Sequence, residues 1–190
     1  MAILAGAALL THAFHLLATL PERRPRVPAA TALRIVKEVS MYAGAPGMVG
    51  GQAADILGEG GVASLSELEY IHQHKTGDLI TVSLRAGALA AGAGEEQLAA
   101  LTVYGRSIGM AFQIRDDILN VVGDEKKLGK PTKRDEQLNK STYPKLLGLE
   151  ASRAKAVELT EAGKRAVSNG ALPRPERLLE LADFLLTRER

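Results

Sequence analysis

The sequence predicts an all-α fold, and three observations carry the prediction. Apolar residues recur at helical spacing over long stretches. Period-2 runs of Val, Ile and Thr are missing, so no sheet is expected. Helix starts and stops, in the form of a capping box, acidic first turns, Pro and Gly, punctuate those stretches.

Taken in order, Ala2–Leu20 reads as a helix ended by Pro21, with a Pro/Arg loop from Pro21 to Pro28. The Ala-Leu segment lacks a basic leader and contains Thr11, His12 and His15, so a buried core helix is expected rather than a signal or membrane span. His12 and His15 read as helix surface rather than a metal site. Ala29–Tyr42 has partial helical periodicity in Leu33, Val36 and Val39. The Gly-rich Gly44–Gly51 leads into a helix bearing Gln52 and Asp55. Ser66–Ala91 is predicted as one long helix, opened by a capping box from Ser64 to Glu67. Glu95–Val122 is another, with acids in its first turn as the macrodipole favours. Gly123–Thr142 is a polar loop, Tyr143–Ser168 is largely helical, and Pro175–Arg188 is the last helix. Gly77, Gly87, Gly105 and Gly109 lie inside these helices, where each costs around 1 kcal/mol relative to Ala unless close helix crossings offset it. The Ala/Gly-rich Ala86–Gly94 segment is a candidate face for a second subunit.

At 190 residues the chain is long enough for one domain, 1–190, with a sizeable core. It has no Cys, which excludes disulfides and Cys-based zinc sites and suits a cytoplasmic location. A net charge of +2 does not argue for nucleic acid, and 3 Phe with 4 Tyr provide no stacking platform for bases.

The most informative stretch is Phe112–Asn120, F-Q-I-R-D-D-I-L-N. Gln113, Asp116 and Asp117 fall at i, i+3 and i+4, on one face of a helix. Two adjacent carboxylates at the end of an apolar helix oppose the macrodipole and call for a cation. Mg²⁺ is commonly held by one or two carboxylates together with substrate phosphates. The other reading of the pair is an ordinary solvated helix edge. Downstream, Gly129-Lys130 and Asn139-Lys140-Ser141-Thr142 lie in a loop whose lysines could neutralise phosphate charge; the same loop could be only solvated. Upstream, His74-Lys75-Thr76-Gly77 offers an ammonium and a hydroxyl to phosphate oxygens, although Lys75 could simply pair with Asp78 at i+3. Asp55, after Gly50-Gly51-Gln52, could support a metal's water shell or could be an ordinary acid near a helix start.

In combination, G-Q-A-A-D, H-K-T-G, F-Q-I-R-D-D-I-L-N, G-K and N-K-S-T-Y-P resemble the trans-isoprenyl diphosphate synthases, most closely the bacterial farnesyl/geranylgeranyl diphosphate synthases. The resemblance runs over nearly the whole chain. It implies an isoprenoid synthase-type helical bundle around a central cavity, usually homodimeric. The implied chemistry is Mg²⁺-assisted ionisation of an allylic diphosphate and its condensation with isopentenyl diphosphate. Under it, Asp116 and Asp117 hold Mg²⁺. Lys75, Thr76, Gln113, Lys130 and Lys140 contact the diphosphate or allylic substrate. Phe112 lies beside the reacting carbons, and Gln52 and Asp55 support the site from behind.

Two departures stand out. Asn120 replaces the third acid of the family's D-D-x-x-D; an amide still accepts a hydrogen bond from metal-bound water but carries no charge, and Asp124 is a candidate to compensate. In addition, Met1–Leu10 resembles the helix after the family's first aspartate-rich motif, with Ala7 where the family has an acid. The chain is therefore expected to be the C-terminal portion of such a domain. Its N-terminal helices would be missing, Ile3, Leu9, Leu10 and Leu16 exposed, and condensation by this chain alone poor. The alternative is a non-catalytic all-α subunit or scaffold that binds a partner.

Overall fold

The structure, a computed structural model, describes residues 1–58, 64–122 and 141–188. Among the described residues every regular element is helical. In chain order these are α1 (Ala2–Ala18), α2 (Leu20–Arg23), α3 (Ala29–Ala43), α4 (Met48–Leu57), α5 (Leu65–His72), a π-helical turn (Gln73–Gly77), α6 (Asp78–Ala90), α7 (Glu95–Val122), α8 (Tyr143–Leu147), α9 (Leu149–Asn169) and α10 (Glu176–Thr187). Lys130 and Lys140, with Asp124, Gly129 and Asn139, lie outside the described residues.

The 28-residue α7 is the axis of the molecule. Its buried residues include Leu98, Leu101, Tyr104, Ile108, Ile114 and Ile118, a stripe at three- and four-residue spacing. Along that stripe α9 packs most extensively, and α6 lies on another side. Near its C-terminal end, Ile114 and Ile118 meet Leu68 of α5, Tyr143 of α8 and Ala156 of α9 in one core cluster. Further back, Leu101, Tyr104 and Ile108 meet Val167 and Ala182. The Tyr104 hydroxyl donates to the Leu178 carbonyl at 2.6 Å, which ties α10 to the same axis. Burial of the ring pushes the Tyr104 phenol up to about 12.

Glycine decides how closely α7 meets its neighbours. A Cβ on Gly105 would lie 2.7 Å from the Thr81 Cα, and one on Gly109 2.6 Å from the Gly77 Cα. The helix crossing expected from these residues is therefore real. Gly87 is the exception, with nothing within 4 Å of its added Cβ, so no crossing explains it.

Several expectations are corrected. Helix α1 buries none of its residues, and Ile3, Leu9, Leu10 and Leu16 are exposed, as expected of a chain lacking neighbours on that side. It is thus not a buried core helix within this chain, because the described elements reach it mainly through α3 on one side. Pro21 does not end the helical region: it occupies the first turn of α2, where its missing N–H costs nothing. The long helix from 66 to 91 is interrupted by the π turn, though its Ser64–Glu67 capping box forms as expected. The helix beginning at Tyr143 breaks at Gly148, whose φ of 84° favours glycine. Part of the Ala86–Gly94 segment packs inward, Ala86, Ala88, Leu89, Ala90 and Ala93 meeting Ile35 and Leu98. Among the described residues no helix is long and apolar enough to cross a membrane.

Candidate functional site

Two glycines assemble the site. Gly51 of α4 sits so close to the π turn that a Cβ there would collide with the Lys75 backbone nitrogen. Asp55 is four residues on, on the same face of α4. It accepts from Lys75 Nζ at 2.7 Å. The π turn matters here. It inserts one extra residue into the helical register, and such turns recur at functional sites. With the register shifted, Lys75 pairs with Asp55, and Asp78 is taken instead by His74 Nδ1 at 2.7 Å. The ordinary Lys75–Asp78 pair is not formed, and Asp55 serves Lys75 directly. Thr76, on the same turn, is half-buried, as is Gln52 on α4.

On α7, Gly105, Gly109, Phe112–Gln113 and Asp116 follow at three- and four-residue spacing. Since Gly105 and Gly109 contact Thr81 and Gly77, this face looks toward α6 and the π turn. Asp116 is the more open carboxylate, its side chain 33% exposed, and it accepts from Arg188 Nη2 at 3.4 Å. The Arg188 guanidinium also lies 4.0 Å over the Phe112 ring, a cation–π contact. Arg115 donates from Nε and Nη2 to the Arg188 carbonyl at 3.3 and 3.0 Å. So the end of α10 folds back onto the motif, and Phe112 meets a cation there.

Asp117 is only 8% exposed. Its Oδ2 accepts the Tyr143 backbone N–H at 2.9 Å and lies 3.7 Å from His72 Nε2. His72 is buried, and that burial pushes its imidazole down to about 4, against opposing fields from Asp55 and Asp116; Lys75 adds to the depression. His72 thus feels both the Lys75–Asp55 pair and Asp116. Ser141 and Thr142, expected in the polar loop as phosphate helpers, are buried, and Thr142 caps α8 by accepting from Lys145 N. Asn120 is half-buried at the end of α7.

His72 and Tyr143 are the residues that sequence reasoning missed. A buried histidine inside an apolar helix reads as core, and a backbone N–H has no signature at all. The one usable signal was the position of His72, three residues before Lys75.

The donor set suits Mg²⁺ in one manner only. Among the described residues no group of three His, Asp or Glu could enclose an ion. Two adjacent carboxylates, one partly open and one oriented by the Tyr143 backbone N–H, fit an ion that takes its remaining oxygens from a phosphate ligand and water.

Known proteins resemble this chain over most of its length. The family model described as polyprenyl synthetase matches residues 1–172. A farnesyl diphosphate synthase of Geobacillus stearothermophilus is 47% identical over 169 residues, covering 89% of this chain and 56% of the relative. That of Escherichia coli (strain K12) is 44% identical, covering 100% of this chain and 64% of the relative. The chain thus spans about 56–64% of the length of these curated relatives. Among solved structures, a geranylgeranyl pyrophosphate synthetase from Pyrococcus horikoshii superposes with a TM-score of 0.84 at 27% identity, covering 100% of this chain and 67% of that one. A geranyltransferase from Helicobacter pylori complexed with magnesium and isoprenyl diphosphate superposes with a TM-score of 0.76 at 32% identity, covering 97% of this chain and 58% of that one. On the family match and these identities, the chain belongs to the polyprenyl synthetase family, with its all-α fold.

Proposed function

We propose that this chain supplies the Asp116/Asp117 and Lys75 parts of a Mg²⁺-dependent prenyltransferase site of isoprenoid biosynthesis, one that condenses an allylic diphosphate with isopentenyl diphosphate in the manner of a farnesyl or geranylgeranyl diphosphate synthase. One observation carries the reading: helix crossings at Gly51 and Gly109 gather the acidic end of α7 and the Lys75–Asp55 pair around His72. A magnesium-bound relative with an isoprenyl diphosphate supports the choice of metal and ligand class.

In this reading Asp116 and Asp117 hold the metal, which when bound supplies Lewis-acid neutralisation of the departing diphosphate. Lys75 leaves or shares Asp55 to meet phosphate oxygens, with Thr76 and Gln113 as neutral donors. Gln52 and Asp55 fix the lysine's starting position. Phe112 lies beside the allylic chain, with Arg188 over one face of its ring. Lys130 and Lys140 are assigned to the same phosphates by family resemblance alone, and Asn120 to metal-bound water. The setting proposed is a cytoplasmic homodimer, which the Cys-free composition and the exposed apolar residues of α1 support. Those same α1 residues favour the second reading, a non-catalytic all-α subunit that binds a partner.

Retention of a non-hydrolysable allylic diphosphate separates the two. The expected result is retention that requires Mg²⁺ and is lost in Asp116→Asn. Metal-independent retention, or none, would favour the scaffold.

A further inference from the structure

A cation of the chain itself sits on the acidic motif. Arg188 directly follows α10, and its side chain is only 14% exposed. Its backbone is held firmly. The Arg188 carbonyl accepts from Arg115 Nε and Nη2, and the helix before it is docked on α7 through Ala182, buried with Leu101 and Tyr104, and through Leu186, packed beside Ile114 and Ile118. The charged head is held loosely. Its Nη2 donates to Asp116 Oδ1 at 3.4 Å, outside the ordinary range of about 2.7–3.2 Å. Its Nε is buried with no hydrogen-bond partner. The guanidinium lies 4.0 Å over the Phe112 ring, which attracts a cation without fixing its donors. A buried donor left unmade is costly, and packing alone would be served better by an apolar side chain. The contact therefore keeps a charge beside the carboxylate without locking it there.

We propose that Arg188 is a resident counter-ion of Asp116, a side chain that withdraws before this carboxylate can take Mg²⁺ and that uncovers one face of Phe112 as it goes. The inference rests on the function proposed above. Adjacent carboxylates disfavour one another's charge, and a nearby cation relieves that repulsion. The same cation competes with a metal for the oxygen it touches. The competition sets a threshold. Mg²⁺ alone has to overcome the ion pair, whereas Mg²⁺ that arrives with a phosphate ligand brings further contacts to offset it. Because Arg115 holds the Arg188 backbone, the side chain can swing away while α10 stays docked. Its departure also frees the ring face that the allylic chain would meet, so the carboxylate and the aromatic become available together.

The test is calorimetric titration of Mg²⁺ into the full chain in the presence of a bisphosphonate. Arg188→Met keeps the long apolar stem over Phe112 and removes the charge. It should lower the Mg²⁺ midpoint about 5-fold, the upper end for a partly open ion pair. A second reading uses the wild-type chain and needs no variant to fold. A proton over an aromatic face is shielded, so the NMR signal of the Arg188 Nε–H should stand upfield of the other arginines. It should move back toward them when Mg²⁺ and the bisphosphonate are added together, whereas a merely structural side chain would stay in place. An unchanged or raised Mg²⁺ midpoint in Arg188→Met overturns the counter-ion role alone, a raised one because it would make Arg188 a contact of the ligand. An Arg188 signal that does not move while both ligands bind overturns it equally. A wild-type chain with no Mg²⁺-dependent bisphosphonate binding overturns the proposed function as well.

Discussion

The acidic end of α7 and the π turn after α5 are the two halves of the site, and their charged groups are held differently. At the π turn the cation arrives with its own anion, Lys75 with Asp55 at 2.7 Å. At the end of α7, Asp117 is held by a backbone N–H beside a neutral histidine. The basic half is electrically satisfied within the protein. In the acidic half a buried carboxylate is oriented by the backbone N–H of Tyr143. The lesson is that the two halves should respond differently to a ligand. Diphosphate must compete for Lys75, whereas metal meets a carboxylate already in place. Arg188 qualifies this for Asp116, which it touches at 3.4 Å from the chain's C-terminal side.

The largest expected effect is at the carboxylates. Asp117→Asn should weaken Mg²⁺-dependent bisphosphonate binding by more than about 100-fold, beyond the range of outer partners, as read by calorimetry.

The buried imidazole of His72 provides a pH signature. His72 has an ordinary value of 6.5 in the unfolded chain and about 4 when folded. Between those values the unfolded chain binds more protons, so stability is lost as pH falls from about 6.5 to 4 and regained as it rises. The loss should reach on the order of 3 kcal/mol for the metal-free chain. Denaturant unfolding across that range checks it. His72→Gln should remove this component.

Lys75→Ala should weaken diphosphate binding by about 1.5–3 kcal/mol, the range for hydrogen bonds to charged groups. Lys155, paired with Glu158 on α9, is the control, and Lys155→Ala should change binding by less than about 0.5 kcal/mol. Equal losses at both would mean that net charge, not the site, is being measured.

The packing between the halves can be attacked directly. Gly109→Ala places a methyl 2.6 Å from the Gly77 Cα. Neither backbone can yield cheaply, so a loss of about 1–3 kcal/mol is expected. Gly87→Ala meets nothing within 4 Å and should stabilise by about 0.5–1 kcal/mol. Thermal unfolding of the two variants separates a glycine required by the crossing from one that is not.

Much of this arrangement was legible in the residues. The bounds of α7 follow from its acidic first turn and its apolar stripe, and the Ser64 capping box from four adjacent residues, because both are local effects. The acid pair was legible because two carboxylates at an apolar helix end ask for a cation. What was not legible depends on contacts far apart in sequence. The π turn forms where Gly51 and Gly109 let two helices press on residues 73–77, and nothing within those residues signals it. The choice of Asp55 over Asp78 follows from that shifted register. Helix α1 misled for a different reason: apolar composition shows that a face must be covered, not that this stretch of chain covers it.

The central claim, that the acidic motif binds metal only together with a phosphate ligand, is tested most directly by one pair of titrations. Mg²⁺ is titrated calorimetrically into the chain with and without a bisphosphonate. Two carboxylates are too few for an all-protein cage, so the account predicts a clear binding isotherm with the bisphosphonate and essentially none without it. Tight Mg²⁺ binding in its absence, or bisphosphonate binding indifferent to Mg²⁺, would contradict the account.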